Sequence, residues 1–270
     1  MHKQLVTVVV PIHLEEPTEL EKISLRQILA VLHRHPITFM APETLNTAWY
    51  EDFCVEKATV RFERFDWHGF NGYSELMLAP VFYRRFQAYE YVLVCHLDAF
   101  VFRDELLAWC QLGYDYVGSV IYNHHWSRPS SRWRRLSGFA PPAYYGNGGF
   151  ALKKVATFLR ITKRFKLYIG LYHLARKLQN QRSFYDDIFL ANHFPKLSRR
   201  FSIAPKAVAE RFAAAYEDWA ETDLPFTNQD QASLPFGTHG WTKFNREFWE
   251  PCIRRCGYHL PSDLVPSVSA

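Results

Sequence analysis

The stretch YEYVLVCHLDAFVFRDEL, Tyr89–Leu106, opens on an apolar run, Tyr91–Cys95, rich in valine and aromatic residues. Such a run reads as a strand buried on both faces, the form strands take in a parallel sheet with helices above and below. His96 and Asp98 then stand at its carboxyl end with one residue between them. In extended backbone both side chains point the same way. Open α/β sheets bind ligands beyond the carboxyl ends of their strands. The ionisable pair is therefore either a ligand site or the polar start of a turn.

Working outward, Leu5–Ile12 reads as a first strand and Glu15–Leu32 as a helix with apolar Leu20, Ile23, Ile28, Val31 and Leu32 near helical spacing. Ile37–Met40 is a second strand and Val55–Phe62 a third. NGYSELMLAPVFYRRF (71–86) reads as helix interrupted at Pro80. After the Tyr91–Cys95 strand come a short helix over RDELLAWCQL (103–112) and a strand over YDYVGSVIY (114–122). This alternation predicts α/β architecture: a single Rossmann-like domain over residues 1–260, with a mostly parallel central sheet flanked by helices. Residues 261–270 are expected to form a loose tail.

Composition narrows the class. In 270 residues, 48% are hydrophobic and 17% aromatic, which suits a folded core and excludes a disordered chain. The net charge of +5 is a weak footprint for a nucleic-acid binder, and none is expected as a partner. The charge is unevenly placed, however. Ala151–Arg182 holds nine Lys and Arg and no Asp or Glu. Within it Phe158, Ile161, Phe165, Tyr168, Tyr172 and Ala175 recur at three-four spacing, which predicts one amphipathic helix with its basic residues outward. Five cysteines without regular spacing point to a reducing compartment. No apolar run is long enough to span a bilayer, so a cytoplasmic protein is expected, in contact with a membrane at most at its surface.

Three more segments carry chemistry. GNGGF (146–150) places three glycines in four positions, allowing either a tight turn or close approach of another group to the backbone. It matches neither glycine-rich phosphate-binding fingerprint. SFYDDIFLANHF (183–194) sets Asp186 and Asp187 before an apolar run, as helix-start acids or as a catalytic carboxylate. In PFGTHGWTKF (235–244), His239 and Lys243 are four apart across Gly240, a spacing that suits surface decoration or a pair around an anion. The long YNHHWSRPSSRWRRLSGFAPPAYY segment (122–145) lacks periodicity and reads as a functional loop.

Taken in order, YEYVLVCHLDAFVF, GYDYVGS, GNGGFALKK, FYDDIFL and PFGTHGW resemble a bacterial family of GT-A-fold glycosyltransferase-like proteins associated with polysaccharide genes, over roughly Leu5 to Trp249. The resemblance implies a GT-A-like domain and transfer of a sugar from a nucleotide-sugar donor to a saccharide or lipid-linked saccharide acceptor. It implies a Mn2+ or Mg2+ cofactor held by Asp98 and His239, with His96 where these families carry a first acidic residue. Donor-binding roles fall to Pro11, His13, Tyr73, His96 and Lys243, with Tyr73 against the base. Asn147, Gly148, Gly149 and Trp241 are implied for the sugar and acceptor pocket. Asp187 is the first choice for the catalytic carboxylate and Asp186 the second. Lipid-linked acceptors would bring the basic segment to an anionic membrane. A nucleotidyltransferase, or a sugar-binding protein without turnover, are the competing readings.

Overall fold

In the computed structural model, the described residues are 3–55, 58–121, 145–178, 184–215 and 232–260. The expected loop at 122–144 and the tail at 261–270 lie outside them. The first half follows the predicted alternation: β1 (Gln4–Pro11), α1 (Glu19–Val31), β2 (Ile37–Pro42), α2 (Ala48–Cys54), β3 (Val60–Phe65), α3 (Gly69–Met77), α4 (Pro80–Arg85), β4 (Tyr89–Cys95), β5 (Ala99–Val101), α5 (Leu106–Gln111) and β6 (Tyr116–Ile121). The second half adds β7 (Tyr145–Lys154), α6 (Val155–Arg164), α7 (Lys166–Leu178), α8 (Asp186–Leu197), α9 (Lys206–Phe212), β8 (Ala213–Ala215), β9 (Gly237–His239) and α10 (Arg246–Arg255).

Local chemistry sets several boundaries. Helix α1 starts four residues later than expected because Thr18 and Glu21 form a reciprocal capping box: the Glu21 N–H donates to Thr18 Oγ1, and Glu21 Oε2 accepts from the Thr18 N–H at 2.8 Å. The expected third strand at Val55–Phe62 moves to Val60–Phe65, since α2 forms ahead of it with Tyr50 and Cys54 buried one turn apart. Pro80 divides the next helical stretch as predicted, starting α4 at the position where its missing N–H costs nothing.

Among the described residues one sheet runs β3-β2-β1-β4-β7-β6-β8-β9-β5. Pairs β1–β2, β1–β4, β2–β3, β6–β8 and β8–β9 are parallel, while β7 runs antiparallel to both β4 and β6 and β5 antiparallel to β9. The alternation within each strand explains the three layers. Val8, Val10, Phe39, Leu93 and Leu152 point into one core, shared with α1 and α10. Val9, Met40, Val92, Val94 and Ala151 point into the other, shared with α3, α4, α6 and α8. Helices on both faces fulfil the expectation drawn from Tyr91–Cys95.

One expectation and one alternative fail here. Of the two readings of GNGGF the tight turn falls: it lies within β7, opposite an irregular register between Gly118 and Ser119 of β6. The amphipathic segment is not one helix, because the chain breaks at Phe165 between α6 and α7.

Candidate active site

Strand β4 ends at Cys95, and the chain turns at once, the Ala99 N–H donating to the His96 carbonyl at 3.1 Å. Extended backbone therefore does not persist through His96 and Asp98, yet the turn still keeps both side chains together. His239, the last residue of β9, reaches them from across the sheet. Its position is fixed by the Ala99–His239 pairing of β5 with β9 and by the Gly240 N–H donating to the Asp98 carbonyl at 2.9 Å. Potential ligand atoms of His96, Asp98 and His239 all lie within 4.8 Å of one another, with His239 Nε2 at 3.1 Å from Asp98 Oδ1. His239 and Lys243 do not share a helix. Gly240 has φ +77, and a turn carries the chain from the strand end to Lys243.

The electrostatics follow from burial and neighbours. Burial pushes the Asp98 carboxyl up, but His239, His96 and Lys243 outweigh it and hold the group well below the usual carboxylate range. Burial pulls His96 down to about 3, helped by His239, Lys153 and His13, so its imidazole is neutral at physiological pH. A neutral imidazole offers a lone pair to a cation. Tyr73, buried and raised well above 10 by desolvation and then by Asp186, Asp187 and Asp98, keeps its proton. Its hydroxyl lies 2.7 Å from His96 Nε2, the partner position that orients metal-binding histidines. Tyr73, expected against a base, thus has its ring buried against Trp67 and its hydroxyl committed to His96.

Behind this cluster passes β7. The His96 N–H donates to the Gly149 carbonyl at 2.8 Å, and a Cβ on Gly149 would stand 2.0 Å from His239 Nε2. Glycine is required there by close approach. One residue earlier, the Gly148 N–H donates to Asp187 Oδ2 at 3.1 Å. Asn147 Oδ1 accepts the Gly149 N–H at 2.7 Å, so this side chain braces the strand.

Asp186 and Asp187 open α8 and are both nearly buried. Asp187 Oδ1 accepts the Ile188 N–H at 2.7 Å, so it also serves the helix N-terminus. Its carboxyl is nevertheless pushed up to about 6, by burial first and by the Asp186 charge second. Asp186 is raised by burial against the opposing pull of Lys153, whose Nζ lies 3.5 Å from Asp186 Oδ2. Lys153 is fully buried and is the site residue that sequence reasoning missed. By count it belongs to the basic segment Ala151–Arg182. The usable signal is its place in a strand whose alternate residues are apolar, but only the central position of β7 shows that both faces are covered.

Of the remaining expected residues, Pro11 is buried at the end of β1, and His13 just beyond it is exposed and close enough to bear on His96. Lys243 is exposed, and its charge reaches Asp98. Trp241 does not line a sugar pocket: it is completely buried, and its indole N–H donates to Ser24 Oγ at 2.9 Å. It is a core residue anchoring the turn after His239.

The cluster fits a divalent cation on its own chemistry. It offers a carboxylate and two imidazoles at the end of a strand, with Asp98 Oδ1 buried and His239 Nε2 3.1 Å from it. A buried carboxylate oxygen is costly unless a charge meets it.

The arrangement of sheet and helices is that of the GT-A glycosyltransferase fold. Mouse xyloside xylosyltransferase 1 in its apo form superposes with a TM-score of 0.56 at 13% identity, over 87% of this chain and 97% of that one. The galactosyltransferase LgtC in complex with donor and acceptor sugar analogues gives 0.53 at 15% identity, over 95% and 98%. The bifunctional glycosyltransferase WbbM gives 0.50 at 16% identity, over 87% of this chain and 45% of that one. The chain belongs to the family described as "Protein of unknown function (DUF5672)", whose model matches residues 58–239. No curated protein matches it in sequence.

Proposed function

We propose that the chain is a glycosyltransferase that moves a sugar from a nucleotide-sugar donor to a saccharide or lipid-linked saccharide acceptor. The observation that carries this reading is the convergence of His96, Asp98 and His239 at the carboxyl end of β4, with the Asp186–Asp187 pair held on the same strand of backbone behind them. Asp98, His239 and His96 would hold a divalent cation, and two imidazoles in the set favour manganese over magnesium. A cation held there would supply positive charge against a donor diphosphate. Lys243 supplies a second positive charge beside the same group, stabilising the leaving oxygen as it develops. To His13, just beyond the end of β1, we assign the nucleotide side.

Asp187 is the carboxylate we assign to the sugar, because it is buried at the site and anchored by two backbone N–H groups, those of Gly148 and Ile188. Asp186 is committed to Lys153 and sets the local charge. The sequence resemblance supports a setting in surface polysaccharide assembly, on a saccharide or lipid-linked saccharide acceptor. Among the described residues no helix is long and apolar enough to cross a membrane.

The test is a panel of nucleotide sugars screened for thermal stabilisation with and without manganese. A ligand at a hundred times its dissociation constant adds about 2.7 kcal/mol to stability. The donor so found should release nucleoside diphosphate in the presence of acceptor. Release of pyrophosphate would instead make the protein a nucleotidyltransferase, and binding without any release would leave a sugar-nucleotide binder.

A further inference from the structure

Helix α7 touches the body of the protein along one line. Ile169 is its only buried residue, with Tyr172, His173 and Arg176 half-buried beside it. Arg176 turns inward over the Tyr172 and Phe184 rings, so it is not part of the outer basic face that the sequence suggested. At about 100° per residue these four positions share one side of the helix. Leu167, Leu171, Leu174 and Leu178 fall within roughly 60° of one another on the opposite side. They are exposed by 77%, 57%, 53% and 77%.

The expected arrangement, apolar stripe inward and charge outward, therefore describes half of this helix. Tyr172 and Ile169 do face inward, but a second apolar line of four leucines faces solvent. A helix that only covers a core carries polar residues there. Lys166 and Lys177 lie together along one edge of the helix, between His173 and the leucine line, and Lys163 and Arg164 are exposed in the last turn of α6 just before it. Glu75 faces this helix from α3, 3.8 Å from Lys177 and 3.3 Å from His173, and offsets part of the Lys177 charge. No acidic residue interrupts the segment from Ala151 to Arg182.

We propose that α7 is a docking face for an anionic lipid surface, with the four leucines entering the boundary between headgroups and acyl chains and the flanking lysines meeting lipid phosphates. An apolar line with a cationic flank is the pattern of helices that lie in the membrane plane. Charge selects this occupant over a second copy of the chain, because a two-fold contact between two such helices would bring like charges together. The inference stands on the surface alone and holds whether or not the chain transfers sugar.

The experiment is co-sedimentation of the full chain with vesicles of phosphatidylcholine alone or mixed with phosphatidylglycerol. The parent should bind the mixed vesicles, less as salt is raised. Replacing Lys163, Arg164, Lys166 and Lys177 by Gln should weaken that binding by about fivefold for each charge removed, the equivalent of about 1 kcal/mol per basic residue. Leu167→Ser, Leu171→Ser, Leu174→Ser and Leu178→Ser together should abolish it at every salt concentration. All four side chains are exposed, so an unchanged melting temperature is the control for folding. Absence of binding by the parent, or binding by the leucine variant equal to the parent's, would overturn the proposal. So would a parent dimer that the leucine variant disperses, which assigns the face to a second copy.

Discussion

Lys153→Met tests whether the buried acid pair depends on the buried ammonium. Lys153 lies in the middle of the sheet, paired across to Val92 and Tyr116, and its side chain is 1% exposed against 9% for Asp186. Methionine keeps the length and the apolar stem, so packing against Phe158 survives while the charge is lost. Breaking one side of a buried ion pair costs about 3–5 kcal/mol, mostly because the remaining charge is left without a partner. The cost should depend on pH, and its sign follows from the shifts. Asp186 and Asp187 are both raised by burial above the value of 3.8 they would have unfolded, Asp187 to about 6. A carboxyl with a raised folded pKa stabilises most below its unfolded pKa, and that contribution is lost as pH rises through the folded value. Removing Lys153 raises these carboxyls further, so the variant's deficit grows between about pH 4 and the range above 6. Urea unfolding of parent and variant at about pH 5 and about pH 7.5 measures it, with the larger deficit expected at the higher pH. Adding Asp186→Asn should recover much of the loss, since removing both partners removes the orphaned charge. An equal deficit at both pH values, or none at the higher, would refute the coupling.

Asp98→Asn should abolish manganese-dependent donor turnover while shifting the melting temperature little, because it removes the cluster's carboxylate and no core group; turnover at the parent rate would remove the cation from Asp98. Gly149→Ala should cost about 1–3 kcal/mol by forcing the His239 ring aside, and isothermal titration with manganese should show weakened binding; unchanged stability and binding would mean that the strand gives way instead. If Asp187 acts as a carboxylate, donor turnover should fall as pH drops through about 6, and Asp187→Asn should leave a small residual rate without that inflection.

The parts legible in the sequence are those whose chemistry is local. The valine run before His96 announces a strand buried on both faces, and the break to His96 and Asp98 marks its ligand end. Pro80 sets a helix limit that residue chemistry alone predicts, whereas the start of α1, expected at Glu15, is set by the Thr18–Glu21 capping box that sequence reasoning missed. What escapes is set by neighbours far off in the chain. GNGGF has the composition of a turn, and only its placement between β4 and β6 makes it a strand. Trp241 stands beside His239 in sequence and looks like a sugar platform. Its burial depends on α1 offering Ser24 to the indole, a contact separated by 217 residues. Lys153 belongs to a basic segment by count and to the acid pair by topology. Helix α7 was half legible: three-four spacing identifies an apolar stripe, but cannot say that a second stripe at the same spacing faces outward.

The glycines of β7 explain why the cluster and the acid pair form one site. Gly148 and Gly149 sit between them: the Gly148 N–H holds Asp187, and the Gly149 carbonyl receives the His96 N–H. A side chain on Gly149 would occupy the space of the His239 ring, and one on Gly148 would meet Asp186 Oδ2 at 3.4 Å. Neither residue leaves bulk between the groups it serves. The separation of histidines and carboxylates is therefore set by backbone geometry, which has few soft degrees of freedom, and not by flexible side chains packed between them. Fixed donors of this kind need little reorganisation when charge develops beside them. It follows that glycine at 149 serves close approach to His239, while Gly148 contributes its N–H to Asp187, and that a distortion of β7 displaces both groups together.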